Sequence, residues 1–336
     1  MSRVVVLGAG GFFGAAALQL LRERGLQPLT PARSNADASS LGSLRAYLRP
    51  GDVILDAAGP YQGRGMALVD AAAEVGADVI DLCDSLDYAV EVADRRDRIE
   101  AAGIRVLNCC SSVSVVTAAM VEASGVTDPR RVSVCLAPAS RETSTPGTAA
   151  SVLSSVGAPI RLRRGGELVT VRGWSEHRDF RLPLDRERFR GYLTESADAV
   201  TLPVVWPGLS DVDFWVDANA PGANGVLHIA SRVPGGGRLV RPMGPMGVRL
   251  ARRLGSTTGG VAVEVTDGGE ELWRCSLTAR RRSYLVAVLP AALAVEAIVA
   301  GRQPLSGLVP VNQQVPATEL IDGLRDVGTE VVLGAP

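Results

Sequence analysis

Lysine is absent: all 35 basic residues of this 336-residue chain are arginine. No lysine can therefore form a Schiff base, grip a phosphate in a P-loop, or partner a tyrosine in the Tyr-x-x-x-Lys arrangement of short-chain dehydrogenases. With abundant Ala, Gly and Val, the bias fits a GC-rich coding sequence rather than a mechanism. Histidine occurs only at His177 and His228, far apart in the chain, so neither a zinc site nor any other metal site is expected. The five cysteines (Cys83, Cys109, Cys110, Cys135, Cys275) form an odd set without C-x-x-C spacing. No signal peptide precedes Val4, which together implies a reducing, cytoplasmic setting. Charges are interspersed, no like-charge block marks a tail, and a net charge of −1 offers nothing to nucleic acid. No apolar run is long enough for a membrane span: Leu285 to Ala300 is interrupted by Pro290 and Glu296 and falls short of the ~20 residues required, so it reads as a core or interface helix.

What is present is enough apolar material, 46%, for a sizeable core, and a length that suggests two domains. The informative stretch comes first. In "VVVLGAGGFFGAAALQLLRERG", Val4 to Leu7 is a continuous β-branched and apolar run that predicts a buried strand, and Ala15 to Arg24 predicts an amphipathic helix. Between them Gly8, Gly11 and Gly14 sit three residues apart, with Phe12 and Phe13 inside the turn. A strand entering a helix through such a turn aims backbone N–H groups outward at the positive end of the helix dipole. The missing side chains let a pyrophosphate reach the backbone, and Gly14 lets the helix lie close on the strand. The expected ligand is a dinucleotide.

The segments that follow alternate. "LQPLTPAR" predicts a second strand ending at Arg33, Leu41 to Leu48 a short helix, Val53 to Ala57 a strand before the loop "GPYQGRG", and Met66 to Val75 a helix. "ADVIDL" predicts a strand, Tyr88 to Ala101 a charged helix, "IRVLN" a strand, and Val115 to Ser124 a helix after the loop "CCSS". The expectation is α/β: a Rossmann-type doubly wound parallel sheet over residues 1–125. After that the texture changes. Hairpins turn at Gly165-Gly166 and Gly268-Gly269, "DVDFWVDA" alternates with period two, and helices fall at Thr148–Val156 and Met246–Leu254. Residues 126–284 therefore predict an α+β domain with a mostly antiparallel sheet, with "PGGGRLVRPMGPMG" as a mobile loop. Residues 285–336, two helices and a strand, are expected to pack back on the first domain. The strand edges around Val261–Arg280 need covering, which predicts a homodimer through the second domain.

These segments resemble the saccharopine-dehydrogenase-like NADP-binding oxidoreductases. "GAGGFFG" is similar to that family's G-x-x-G-x-x-G turn, and "DVILDAAGPYQGRG" to its strand and Gly-Pro-Tyr/Phe loop. "DVIDLCDSLDY", "AAGIRVLNCCSSVSVVTAAMVEA" and "LPAALAVEAIVAGRQPLSGLVP" match in order and spacing. The resemblance covers residues 1–125 well and 285–310 loosely. Two departures stand out: Ser34 to Gly51 is shorter than the family's segment, and Ser114-Val115 stand where the family often has Pro-Gly. The resemblance implies hydride transfer to or from a C=N bond, the secondary amines made from an amine and a carbonyl compound. It also extends to enoyl reductases, so an enoyl or carbonyl reductase is an alternative. A non-catalytic NADP(H)-binding sensor or scaffold is another.

An NAD-preferring domain places an acid at the end of its second strand, which would repel a 2′-phosphate. Here "TPARSN" has Arg33 and Ser34, so NADP(H) is the expected cofactor. The loops after the parallel strands carry Ala58, Gly59 and Pro60 as a wall, with Ser111 and Ser112, for the cofactor; Cys109 and Cys110 read as small core residues. Tyr61, a phenol that donates better than it accepts, and Asp84, a carboxylate suited to a cationic iminium, are the expected catalytic pair. Against them stand packing of Tyr61 on the cofactor and helix capping by Asp84. Arg141, in a loop opening the second domain, is a candidate for a substrate carboxylate.

Overall fold

A computed structural model of the chain describes residues 2–181, 188–269 and 272–334. These form two compact units: residues 1–118 with 286–320, and residues 119–285 with 321–336.

In the first unit, β1 (Val4–Leu7), β2 (Val53–Asp56), β3 (Asp78–Asp81) and β4 (Arg105–Leu107) lie side by side in that order, all parallel. Their side chains are buried almost throughout, which explains why they read as unbroken apolar runs rather than alternating ones. A short strand late in the chain, Gly307–Leu308, adds in parallel beyond β4. The helix Phe12–Glu23 returns from β1, and Ala67–Val75, Leu86–Ala93 and Arg96–Ala102 connect the later strands. The expected single helix over 88–101 is thus two. The expected strand ending at Arg33 is reduced to one bridge, where the Leu29 N–H donates to Val4 O and Leu29 O accepts from Val6 N–H. Pro28 and Pro31 on either side have no N–H to extend the ladder. Leu29 still marks the side to which the chain first turns from β1, before crossing to β2 on the other. That reversal is the topological switch point, the place beyond the strand ends where open α/β sheets bind their ligands.

The second unit holds a mixed nine-stranded sheet. Its strands in chain order are β5 (Arg131–Ala137), β6 (Pro159–Arg164), β7 (Glu167–Arg172), β8 (His177–Arg181), β9 (Arg188–Thr194), β10 (Asp211–Val216), β11 (Gly259–Thr266) and β12 (Trp273–Ala279). The short strand Gly307–Leu308 of the first sheet is β13, and β14 (Thr329–Leu333) completes the second. The order is β14-β12-β11-β5-β10-β6-β7, with the β8–β9 hairpin attached to β10. Only β5 and β10 run parallel; the other pairings are antiparallel. Cys135, Ile160, Leu162, Phe180, Leu193 and Trp215 form its core cluster.

Three expectations change here. The β11–β12 hairpin does not offer bare edges, because β5 and β14 already pair with it. β14 joins this sheet rather than the first unit, since its N–H and C=O groups find partners along β12 from Cys275 to Ala279. The stretch expected as a mobile loop is helical: Gly236–Val240, a turn of 3₁₀ helix at Arg241–Met243, then Gly244–Leu254. Glycine and proline open these helices instead of breaking them, with Pro242 and Pro245 in first turns where a missing N–H is harmless.

Candidate active site

The glycine turn is closed by backbone contacts. Gly8 has φ +75°, and a Cβ there would lie 2.7 Å from the Ala57 carbonyl carbon and the Ala58 Cα. A Cβ on Gly14 would lie 2.1 Å from the Gly8 carbonyl oxygen, so only glycine lets the helix start this near β1. Gly11 is the N-cap, its N–H donating to Gly8 O at 2.8 Å; no side chain caps this helix and no acid lies in its first turn. Its positive end is therefore not neutralised from within. Gly10, which the three-residue spacing had passed over, is exposed, and a Cβ there would meet nothing within 4 Å. Phe12 and Phe13, edge to face at 5.2 Å, are half-buried beside it.

From this turn, contacts run along the whole C-terminal edge of the first sheet. Gly8 packs on Ala58. The Ala58 N–H donates to Asp56 Oδ1 at 3.0 Å, and its carbonyl accepts from Arg64 at 2.9 Å. Asp56 and Arg64 form a buried ion pair. Burial works against the Arg64 charge, but Asp56 more than restores it and raises its pKa. The guanidinium also stands over the Tyr61 and Tyr88 rings, at 5.1 and 5.8 Å. Neither Asp56 nor Arg64 was singled out by sequence; the signal was an acid ending an apolar strand and a lone cation in a glycine-rich loop.

Tyr61 is buried, its hydroxyl donating to Asp56 O at 2.7 Å and accepting from the Leu82 N–H at 3.1 Å. Burial, with the Asp56 and Asp81 charges, pushes its pKa up further. With the hydroxyl engaged by two backbone groups, Tyr61 holds the β2 and β3 ends together. Proton donation to a substrate is not a role this geometry supports. Asp84 is exposed and accepts from Gln62 Nε2 at 3.3 Å. It does not cap the following helix: Ser85 does, its hydroxyl accepting from the Tyr88 N–H.

Asp81, ending β3, is fully buried. It accepts from Asn108 Nδ2 at 2.8 Å, from the Cys109 N–H at 2.8 Å and from the Cys83 N–H at 3.0 Å. Burial outweighs these bonds and lifts its pKa to about 6. These bonds bring in the loop after β4, with Cys109 at φ +58°, Ser111 buried and Ser112 half-buried. Asp81, Cys83 and Cys109 bring potential ligand atoms within 4.8 Å of one another. Both carboxylate oxygens are already taken, and burial raises the Cys83 thiol, so the group is a hydrogen-bonded cluster ill-suited to a cation.

Arg33 and Ser34 lie past the Leu29 bridge. Arg33 is exposed and pairs with Asp37 four residues on, Nε to Oδ2 at 3.1 Å. Asp37 also accepts from the Ser39 N–H, and these partners lower its pKa. An acid thus does stand near Arg33, three residues beyond where sequence looked for one. Arg141 lies in the second unit on the short helix Ser140–Thr143, its guanidinium donating to Arg253 O at 2.9 Å. The two histidines, distant in sequence, meet there with ring centroids 5.1 Å apart, beside Tyr192.

The architecture is a Rossmann-type α/β fold followed by a mixed-sheet unit, an architecture found among dehydrogenases. Over 99% of this chain and all of the other, it matches saccharopine dehydrogenase (L-Glu forming) from Saccharomyces cerevisiae at 11% identity and a TM-score of 0.59, so the two share a fold. More distant likenesses are GenD2 from gentamicin A biosynthesis in complex with NAD (13% identity, 99% and 97% covered, TM-score 0.42) and the WlbA (WbpB) dehydrogenase from Thermus thermophilus with NAD and α-ketoglutarate (12%, 100% and 97%, 0.40). No family model and no curated protein sequence matches the chain.

Proposed function

We propose that this protein is an NADP(H)-dependent oxidoreductase acting on the C=N bond of an imine or the corresponding secondary amine. The observation that carries the reading is the turn Gly8–Gly14. It lies at the switch point of a parallel sheet, is emptied of side chains where backbone must come close, and ends on a helix with an uncompensated positive end. The residues fit a dinucleotide. The backbone of Gly8, Gly10, Gly11 and Gly14 holds the pyrophosphate, with Phe12 and Phe13 beside it. Arg33 and Ser34 take the 2′-phosphate, Arg33 exchanging Asp37 for it. Ala58, Gly59, Pro60, Ser111 and Ser112 wall the nicotinamide. When bound, the cofactor supplies or accepts a hydride. Asp84 sets a carboxylate against a cationic iminium and disfavours neutral C=O or C=C groups. Tyr61 keeps the Gly-Pro loop and β3 in register, and Arg141 binds a substrate carboxylate. The protein works in the reducing cytoplasm, in keeping with five free cysteines, all buried. It does so as a homodimer through the second unit, whose described sheet has free edges at β7, β8 and β14.

Calorimetric titration with NADPH and NADH, followed by a screen of oxo-acid plus amino-acid mixtures for loss of NADPH absorbance, tests this. Micromolar NADPH affinity with turnover on such a mixture is expected. Failure to bind either nucleotide would end the assignment, and binding without turnover on C=N, C=C or C=O substrates would favour a sensor.

A further inference from the structure

The second unit carries a surface that the cofactor site does not use. Charges are interspersed elsewhere, but residues 218–263 contain no acid and six arginines, from Arg232 to Arg253. All six are exposed. Arg241 and Arg252 donate to the carbonyls of Ser154 and Ser144, which leaves their charge uncompensated.

The same segment holds eight of the twelve large apolar side chains that the described chain exposes, each 47–71% accessible. The helix Ala223–Arg232 and its cap show Val226, Ile229 and Val233 on the side away from buried Leu227 and Ser231. From Leu239 the exposed positions continue as Met243, Met246, Leu250 and Leu254, at steps of four, three, four and four. That is the helical repeat. In Gly244–Leu254 the stripe faces away from Val248, which is the buried side chain of that helix. Each helix therefore has one apolar face already packed and a second turned to solvent, bordered by arginine.

A second copy of this chain docked through the same segment would press six arginines against six with no acid of the segment to answer them, which like-charge repulsion opposes. An anionic partner is what the charge calls for. Apolar side chains at helical spacing, flanked by arginine in a segment free of acids, are the chemistry of a helix lying in a lipid interface. We propose that the segment from Ala223 to Leu254 docks this protein on an anionic lipid surface, peripherally; among the described residues no helix is long and apolar enough to cross a membrane.

The test floats the full-length protein with phosphatidylcholine vesicles, and with vesicles in which about a third of the lipid is phosphatidylserine. Flotation with the anionic vesicles, several-fold above the neutral ones and weakened by salt, is expected. Leu239→Asp combined with Leu250→Asp, at positions 71% and 51% exposed, should leave the melting temperature unchanged and cut flotation about tenfold. Arg249→Glu with Arg252→Glu and Arg253→Glu should remove the preference for anionic lipid. No flotation, flotation indifferent to lipid charge, or flotation unaltered in the Leu239/Leu250 variant would overturn the proposal. So would light scattering in which that variant turns a dimer into a monomer, since a second copy would then be what covers the stripe.

Discussion

Valine in place of Gly11 separates a phosphate cradle from a plain strand-to-helix turn. The Gly11 backbone is extended, φ −80° and ψ 168°, which a β-branched residue adopts without strain. Its Cβ would meet only the Gly8 oxygen, at 3.2 Å, a contact that a few tenths of an ångström relieve. The fold loses a favourable N-cap residue, about 1 kcal/mol, or roughly 2–4 °C for a unit the size of the first one unfolding by itself. The γ-methyls, however, stand over the helix end where phosphate oxygens would meet backbone N–H groups. Each charge-assisted bond lost costs about 1.5–3 kcal/mol, so losing one or two raises the NADPH Kd by roughly 10²-fold. Gly14→Ala is the contrast. Its Cβ falls 2.1 Å from Gly8 O and 2.7 Å from the Gly8 carbonyl carbon, both backbone, so the helix has to retreat. That costs about 1–3 kcal/mol or more, and binding fails with it. Gly10→Ala meets no protein atom, so any affinity it loses reports on the ligand alone. Scanning fluorimetry and NADPH calorimetry on the three variants decide the matter. Unchanged NADPH affinity in a well-folded Gly11→Val protein would refute the cradle.

Arg33→Ala should weaken NADPH by roughly tenfold or more while leaving NADH alone, and Asp37→Asn, which frees Arg33 from its ion pair, should strengthen NADPH; equal effects on both nucleotides would remove Arg33 from the 2′-phosphate site. Tyr61→Phe removes the hydroxyl that donates to Asp56 O and leaves the Leu82 N–H with Asp56 O as its remaining acceptor, so it should cost about 0.5–1.5 kcal/mol of stability, whereas Asp84→Asn should lower kcat by about 10²-fold with melting temperature unchanged; the opposite pattern in the two variants would reverse their roles. The Asp81 carboxyl, at about 6 in the folded protein against an ordinary 3.8, adds stability that is fully present below pH 3.8 and lost as pH rises through about 6. Near pH 7 the loss is roughly 3 kcal/mol. Denaturant titrations from about pH 4 to about pH 7 should show that step in the wild type and not in Asp81→Asn, and parallel curves would count against it.

The parallel sheet was legible because buried strands on both faces leave unbroken apolar runs, and the glycine turn because its spacing is itself the steric requirement. The second strand misled: "LQPLTPAR" has a strand's composition, but two missing proline N–H groups reduce it to a bridge. The helical stretch after Gly235 was hidden for the converse reason, since glycine and proline at helix starts look like breakers until the first turn is located. Tyr61 carried an ambiguity that no spacing resolves. Its loop position fits a proton donor, and only the Asp56 carbonyl and Leu82 N–H on either side of the hydroxyl show that it is already engaged. Asp56–Arg64 and Asp37–Arg33 escaped notice because a pair formed across a folded loop, or at a helical spacing inside a loop, leaves no trace in composition.

The last fifty residues serve both units: Gly307–Leu308 extends the first sheet past β4, and Thr329–Leu333 closes the second beside β12. During synthesis the strands β1 to β4 are made well before the short strand that extends their sheet, with the main segment of the second unit, residues 119–285, coming between them. Both sheets therefore wait, β4 and β12 each unpaired on one side, until residues 307–333 have been made. A stop codon in this region would leave two unfinished units rather than one intact domain and a missing tail.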